Sequence, residues 1–332
     1  MKKSTKNKID SRYDFDNDRE FYFDKKTNQP YSGHFIIYWK NGKKREEGMI
    51  IDGHIKNGKW TEWNPGGGKS KEINYKNGEV HGQYTFWVNG IVLTKKNYKY
   101  GLLHGKSTEN LQLTVDRVLK NQEGNYKNGK KEGIWKYYSY KGHVLLETNY
   151  INGERNGLSN VWWSKGIKKE EGNYKNDKVD GLWTDWYENG KKKWEHTWKD
   201  GKFDGLWTEW YENGQKKEER TYKDRKEDGL RTNWWENGQK KEERTVKDGK
   251  FDGLWTGWNE NGQKFVEGNY KNDKVVGLWT RWYDNGQKWW EKTYKDGELI
   301  SEKEWDKDGN RKIKDGEDSL DNFFEDDVEI PF

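Results

Sequence analysis

The stretch DGLWTEWYENGQKKEERTYKD, residues 204–224, sets the pattern of the chain. It holds two tryptophans and two tyrosines among lysines, glutamates and aspartates. A glycine followed by such a run recurs every 24 residues, at Gly133, Gly157, Gly181, Gly205, Gly229, Gly253 and Gly277, with looser copies from Gly33, Gly58, Gly82 and Gly105. A fixed period of this size is typical of a repeat array, in which each unit packs on its neighbours.

Each repeat carries two turn signals separated by two strand signals. Asn213-Gly214 and its equivalents predict a two-residue type I′ turn, because both positions of that turn need positive φ. A second polar turn follows, as in Lys199-Asp200-Gly201-Lys202. The runs between turns are rich in Trp, Tyr and Thr, which favour strands. We therefore predict an all-β fold, an elongated single-layer antiparallel meander of about eleven β-hairpin repeats.

A two-residue turn at 213–214 fixes the pairing of the central repeat and sets Tyr211 opposite Lys216. It sets Gly205 opposite Tyr222, where a ring is expected to cover the glycine. It sets Trp207 opposite Arg220, which favours a cation–π contact. It also sets two glutamates, 209 and 218, opposite each other, an unfavourable pair unless a bulge shifts the register.

The composition predicts a fold without an ordinary aliphatic core. Only 30% of residues are apolar and 36% are charged, which favours disorder, whereas the aromatic content of 16% favours folding. In strand 206–211, Trp207 and Tyr211 point to one face and Trp210 to the other. We interpret most of the 22 tryptophans as the substitute for a core.

Three segments carry a family resemblance, EGNYKNGKKEGIWKYY (123–138), EGNYKNDKVDGLWTDWYENG (171–190) and EGNYKNDKVVGLWTRWYDNG (267–286). They resemble the MORN-repeat variant family over roughly residues 31–310. In bacteria this family is often described as the antitoxin component of a toxin–antitoxin pair. The resemblance implies a hairpin meander, no catalytic residues, and contacts with a protein or a membrane surface.

The expected organisation has three parts. Residues 1–30 are a charged N-terminal segment, 31–310 are the array (irregular over 31–132, regular over 133–310), and 311–332 are an acidic tail. The spacing of 28 residues before Gly133 predicts an insertion or a bulged hairpin within 101–122. Residues 315–332 contain eight acids and no base. We interpret them as a solvated tail or as a peptide that docks on a partner, or back on the array, through Phe323, Phe324, Ile330 and Phe332.

No residue pattern predicts chemistry. The chain has no cysteine, no phosphate-binding loop, no catalytic triad context and no metal-ligand spacing among its six histidines. We therefore expect no enzyme, no cofactor and no metal. Repeat 205–228 holds six basic and seven acidic residues, a net of −1, whereas a phosphate-binding groove is expected to be positive. Nucleic acid is thus a disfavoured partner.

The location is expected to be cytoplasmic. No apolar run of about 18 residues exists to span a membrane. The basic N-terminus is not followed by the apolar run of a secretory signal.

We predict a non-enzymatic repeat protein that mediates protein–protein interaction. It resembles the antitoxin or immunity component of a toxin–antitoxin pair, with a toxin as candidate partner and steric occlusion as the mechanism. Binding to the cell envelope, a glycan or a membrane surface, or a scaffold role, stays open as the alternative. The candidate partner-binding surface consists of tryptophans at the second and fifth residues after the leading glycines, Trp183, Trp186, Trp207, Trp210, Trp255, Trp258, Trp279 and Trp282.

Overall fold

The structure is a computed structural model that describes residues 9–14, 19–114, 117–163 and 166–312. Over these ranges it contains strands and turns and no helix, and neighbouring strands pair antiparallel. The predicted all-β hairpin meander is confirmed. The chain divides into two compact units, residues 1–190 and 191–332.

The first unit contains sixteen strands, β1 (Ile9–Asp14), β2 (Arg19–Asp24), β3 (Gly33–Tyr38), β4 (Lys44–Ile51), β5 (Ile55–Trp63), β6 (Lys69–Lys76), β7 (Glu79–Val88), β8 (Ile91–Lys99), β9 (Leu102–Leu103), β10 (Gly105–Thr114), β11 (Arg117–Lys127), β12 (Lys130–Tyr138), β13 (Val144–Ile151), β14 (Glu154–Trp162), β15 (Lys168–Lys175) and β16 (Lys178–Trp186). The second unit contains β17 (Lys192–Lys199), β18 (Lys202–Trp210), β19 (Lys216–Lys223), β20 (Lys226–Glu227), β21 (Gly229–Trp234), β22 (Lys240–Lys247), β23 (Lys250–Trp258), β24 (Lys264–Lys271), β25 (Lys274–Trp282), β26 (Lys288–Lys295), β27 (Glu298–Trp305) and β28 (Arg311–Lys312).

Two turn types alternate along the chain. The type I′ turn, predicted at Asn-Gly, is found instead at the other polar turn of the repeat. Asp200 and Gly201 have φ of 50° and 75°, and Lys199 pairs with Lys202, so this polar turn is the two-residue type I′ turn. At 211–215 the Tyr211 N–H donates to the Gln215 carbonyl at 2.9 Å and the Gly214 N–H donates to the Tyr211 carbonyl at 2.9 Å.

This second turn has a three-residue loop, and Gly214 has a φ of 89°. These features describe a type I turn followed by a glycine bulge. The type I′ prediction for 213–214 was therefore wrong. The predicted Tyr211–Lys216 pair was also wrong, because the bulge lets Trp210 pair with Lys216 and leaves Lys217 as the extra residue.

Beyond the bulge, the predicted register of the central hairpin is confirmed. Gly205 pairs with Tyr222, Trp207 with Arg220, and Glu209 with Glu218. The last pair is tolerated because each carboxylate has its own cation.

Glu218 bonds Arg220 at 2.6 Å and Arg231 at 2.7 Å. Glu209 bonds the bulge residue Lys217 at 2.9 Å. The like charges of this cross-strand pair are thus neutralised by cations at neighbouring positions.

Alternation along the strands gives each unit two distinct faces. We call the face that carries Leu206, Thr208 and Trp210 of β18, with their partners on β19, the leucine face. The opposite face, which carries Trp207, Glu209 and their partners, is called the ring face. Equivalent residues of every repeat fall on the same face, because a repeat contributes two strands.

Tryptophan rings pack directly on glycine backbone on the ring face. A Cβ added to Gly172 would lie 2.0 Å from the Trp183 ring, and one added to Gly268 would lie 2.1 Å from the Trp279 ring. The same contact recurs between Gly48 and Trp60 and between Gly124 and Trp135. The ring-over-glycine contact expected at Gly205 was assigned to the wrong glycine. Gly205 has a φ of +104°, and its added Cβ would meet Thr197 at 3.2 Å.

The first unit also contains a conventional hydrophobic cluster. Tyr22 from β2 is buried with Phe35, Ile50 and Trp60. The segment 1–30, expected only to be charged, thus contributes a core residue. The irregular region near residue 110 has a bulged hairpin, since β10 and β11 pair with two register shifts. The proposed roles for Phe323, Phe324, Ile330 and Phe332 lie outside the described residues.

Candidate interaction surface

A polar module repeats along the leucine face and links each hairpin to the next. Thr208 is 3% exposed and pairs with Glu219. Glu219 accepts a 2.5 Å bond from Lys216, whose Nζ lies 5.5 Å from the ring centre of Trp234 in the next repeat. The ammonium is thus shared between a carboxylate and an aromatic face, both of which stabilise it.

The same lysine–tryptophan contact occurs in both units. In the first unit it joins Lys44 to Trp63, Lys69 to Trp87 and Lys168 to Trp186. In the second it joins Lys192 to Trp210, Lys240 to Trp258, Lys264 to Trp282 and Lys288 to Trp305. The fifth-position tryptophans therefore help to hold successive hairpins together.

A row of exposed leucines lies beside this module. In the second unit the row is formed by Leu206, Leu230, Leu254 and Leu278, whose exposed fractions are 47%, 50%, 47% and 52%. In the first unit Ile134, Leu158 and Leu182 hold the same position with similar exposure. Their cross-strand partners are uncharged, as Thr221 is for Leu206 and Asn269 is for Leu254.

The leucines of the row are regularly spaced, and we call the distance between neighbouring leucines the step of the row. Equivalent leucines are two strands apart, about 10 Å at the usual strand separation. An exposed apolar row of this kind is typical of an interaction surface rather than of a solvated one. Each leucine directly follows a leading glycine, so the position of the row, though not its exposure, could have been read from the sequence.

The bulged turns form a hydrogen-bonded ladder along one edge. Asn213 donates from Nδ2 to the Glu236 carbonyl of the next turn at 2.7 Å, and Asn237 donates likewise to the Glu260 carbonyl at 2.7 Å. The Tyr211 hydroxyl donates to the Trp234 carbonyl at 2.9 Å. The asparagine of each Asn-Gly pair therefore connects repeats.

The ring face carries charges that neutralise one another in the middle of the second unit. Arg220 lies 5.0 Å from the Trp207 ring, and its bond to Glu218 raises its pKa. Burial raises the pKa of Glu242, but bonds from Arg244 and Asn233 outweigh burial and lower the pKa below its usual value. One position of this face differs from repeat to repeat, and it is held by Gly172, His196, Arg220, Arg244 and Gly268.

His196 is an enclosed titratable group of the ring face. Its side chain is 8% exposed and packs edge-on against Trp198 and Phe203, each 5.6 Å away between ring centres. Its Nδ1 has no hydrogen-bond partner among the residues that the structure describes. Burial lowers its pKa, and only the charge of Glu195 acts in the opposite direction. The imidazole is therefore neutral at neutral pH.

The eight candidate tryptophans do not share a surface. The second-position residues Trp183, Trp207, Trp255 and Trp279 lie on the ring face, and the fifth-position residues Trp186, Trp210, Trp258 and Trp282 lie on the leucine face. Trp279 is 5% exposed and the other seven are partly buried. Their binding role stays a prediction.

The described ranges, residues 9–14, 19–114, 117–163 and 166–312, also bear on metal and membrane binding. No group of three or more His, Asp or Glu side chains there could hold a metal ion. These ranges also hold no helix long and apolar enough to cross a membrane.

Sequence comparison agrees with the repeat geometry. The MORN repeat variant profile matches residues 131–152, 179–200, 203–224, 227–248, 251–272 and 275–296. The chain is a MORN-variant repeat protein. Such repeats place it among repeat proteins that mediate interactions with proteins or membranes. No curated protein matches the MORN-variant chain.

Among solved structures, one similar chain comes from the crystal structure of TcdB2-TccC3-Cdc42, with 14% identity and a TM-score of 0.16. The match covers 86% of the MORN-variant chain and 16% of that chain. A superposition this poor carries no argument about fold or function.

Proposed function

We propose that this MORN-variant protein binds a protein partner through its leucine face. The role is that of an antitoxin or immunity protein that occludes the partner's working surface, without catalysis. The observation that supports it is the row of half-exposed leucines at the same position of successive repeats. The lack of cysteine suits a reducing compartment, and we place this activity in the cytoplasm.

The leucine row offers binding energy that folding has left unused. Fully burying a leucine side chain contributes about 1.5–3 kcal/mol, so covering the exposed half of each contributes about 1 kcal/mol. Four leucines in the second unit therefore supply several kcal/mol without any new charge pair. The neighbouring Lys–Glu–Trp module would form the polar rim of such an interface.

The step of the row suits a particular partner element. An α-helix rises about 10.5 Å over seven residues, close to the step of about 10 Å between leucines. An amphipathic helix lying across the strands, with an apolar residue every seventh position, would meet each leucine in turn. Helix-in-groove recognition uses the same periodic apolar contacts.

The charges of the leucine face favour a protein over a lipid surface or nucleic acid. The lysines of the module already bond glutamates, for example Lys216 with Glu219 and Lys240 with Glu243. A surface that attracts phosphates needs unpaired cations. Membrane or envelope binding is retained as the second outcome of the test below.

The test removes the row without changing charge. A quadruple variant carries Leu206→Thr, Leu230→Thr, Leu254→Thr and Leu278→Thr, because threonine suits strands and lacks the apolar side chain. The control carries threonine in place of four uncharged turn residues of the same repeats, Gln215, Gln239, Gln263 and Gln287.

The tagged protein is first recovered from its native cells with nuclease, and the stoichiometric partner is identified by mass spectrometry. The partner's affinity is then measured by calorimetry for the three proteins. We expect at least a 100-fold loss for the leucine variant, an unchanged control, and unfolding midpoints that agree. Co-expression with the partner tests whether the chain protects cells from it. Equal affinity of the leucine variant, or recovery only of envelope fragments or nucleic acid, would sink the proposal.

A further inference from the structure

The last two regular repeats depart from the four before them at one ring-face position near the bulged turn. Lys217 of β19 and Lys241 of β22 hold this position beside an aromatic ring of the turn, at 5.8 Å from Tyr211 and 4.4 Å from Trp235. In β24 and β26 the position holds Phe265 and Trp289 instead. Two lysines are thus replaced by two rings in consecutive repeats.

The replacement opens a cleft with aromatic walls. The cleft has a volume of about 420 Å³ and is lined by Phe265, Arg281, Tyr283 and Trp289, with Asp284 and Lys307 also in its wall. Trp289 stacks on Tyr283 at 5.4 Å between ring centres and 21° between planes. A concave site with a few polar groups is the usual form of a ligand site.

Arg281 gives the cleft its chemical preference. Its guanidinium lies 5.8 Å from the Phe265 ring and 4.9 Å from the Trp289 ring. Three ring-face arginines of the preceding repeats each bond a glutamate, namely Arg220, Arg231 and Arg244. Arg281 forms no ion pair with any residue that the structure describes. A guanidinium held between rings presents its donors to a carboxylate.

We propose that this cleft binds the acidic C-terminal segment of the same chain, LDNFFEDDVEIPF (320–332). Phenylalanine rings would stack on Phe265 and Trp289, and the neighbouring carboxylates would pair with Arg281 and Lys307. The segment combines both groups, since residues 315–332 hold eight acids, no base and three phenylalanines.

The C-terminal segment is favoured over a separate partner as the occupant of the cleft, because a short stretch of chain tethers it there. The part of the chain that the structure describes ends at Lys312, five residues after Lys307 of the cleft wall. Phe323 follows eleven residues after Lys312, a reach of at most about 40 Å. A tether this short gives an effective concentration on the order of millimolar, so even weak contacts hold the segment. The cleft lies on the ring face, so the proposal does not rest on the leucine row.

The absence of native cysteine permits a direct test in the full chain. Ser319→Cys is labelled with bimane, a fluorophore that tryptophan quenches on contact. The label is placed in the otherwise native chain and in chains that also carry Trp289→Lys or Arg281→Glu. Trp289→Lys restores the residue that earlier repeats use beside an aromatic turn residue, so folding is expected to be retained.

We expect bimane to be at least two-fold dimmer in the native background than in either cleft variant, and to brighten in 1 M salt. Hydrogen exchange at residues 320–330 should be slowed in the native chain and unprotected in Arg281→Glu. Equal intensity in all three proteins together with unprotected tail amides would overturn the proposal. Loss of quenching on dilution with unlabelled protein would assign the docking to a second copy and would also overturn it.

Discussion

At the scale of single residues, glycine serves two separate purposes in each repeat. Gly205 and the other leading glycines have positive φ, which other residues adopt only with strain. Gly172 and Gly268 do not need positive φ, and their missing side chain makes room for a tryptophan ring. The distinction predicts different outcomes for the same substitution.

We expect Gly268→Ala to lower the free energy of unfolding by about 1–3 kcal/mol, the usual result of overpacking. The added Cβ would lie 2.1 Å from a Trp279 ring carbon, so the ring or the strand has to move. Gly68→Ala is the control, because its added Cβ meets only the Asn64 side chain, at 3.3 Å. Urea unfolding followed by tryptophan fluorescence measures both, and equal midpoints would show that the ring has room to shift.

His196 predicts a pH dependence of stability. Burial places its folded pKa below the unfolded value of 6.5, so the unfolded chain binds more protons between these two pKa values. This contribution to stability is full above about pH 6.5 and falls as the pH drops towards the folded pKa.

The measurement compares thermal midpoints of the native chain and His196→Phe between about pH 7.5 and 5.5. Phenylalanine keeps the packing against Trp198 and Phe203 but does not titrate. We expect the native chain to lose more stability on acidification than the variant. Parallel curves would mean that protonation of the buried imidazole costs nothing.

At the scale of elements, the two turns of a repeat show where sequence patterns suffice and where they do not. Asn-Gly is compatible with a type I′ turn and with a type I turn plus a bulge, and the choice depends on the residues that pair beside the loop. Here Tyr211 pairs with Gln215 across three loop residues, and the side chain of Asn213 is used by the next turn. That contact links residues 23 apart, which a local pattern cannot report.

The inter-turn hydrogen bond predicts the effect of changing the asparagine. Asn237→Ala removes the donor to the Glu260 carbonyl and the Oδ1 acceptor that the Gln239 N–H uses, and Asn237→Asp removes only the donor. We expect a loss of about 0.5–1.5 kcal/mol for each bond removed, so alanine should cost more than aspartate. Glu236→Ala is the control, since its carbonyl, not its side chain, takes part in the ladder. Denaturant midpoints decide, and equal stability of all three variants would exclude an energetic role for the ladder.

At the scale of the whole molecule, the sequence predicted the parts of the fold that repeat. The period, the hairpin meander and the pairs Trp207–Arg220 and Glu209–Glu218 follow from local spacing. The exposure of individual side chains could not be predicted. A leucine and a threonine two residues apart lie on the same face of a strand, and their burial differs only because different neighbouring side chains pack on them. Leu206 is 47% exposed whereas Thr208 is 3% exposed, and Thr208 lies between Glu219 of its own hairpin and Glu195 of the preceding strand β17.

An array in which each hairpin packs on its neighbours predicts local, not global, loss of protection. Gly268→Ala should speed amide exchange in β23 to β26. Strands β13 to β15 in the first unit should exchange as in the native chain. Hydrogen exchange with peptide-level mass spectrometry measures both regions at once. Uniformly faster exchange throughout would show that the chain unfolds as one cooperative body.

The even number of strands in a repeat has a consequence for how such a chain can change in length. The segment ENGQKKEERT stands unchanged at 212–221 and 236–245, so recombination between such copies would add or remove one whole repeat and leave the sequence at the join unaltered. A gain or loss of 24 residues returns every later side chain to the face it had before. Recombination can therefore lengthen or shorten the leucine face in whole steps while the remaining steps keep their chemistry, so the extent of contact with a partner can evolve independently of its kind.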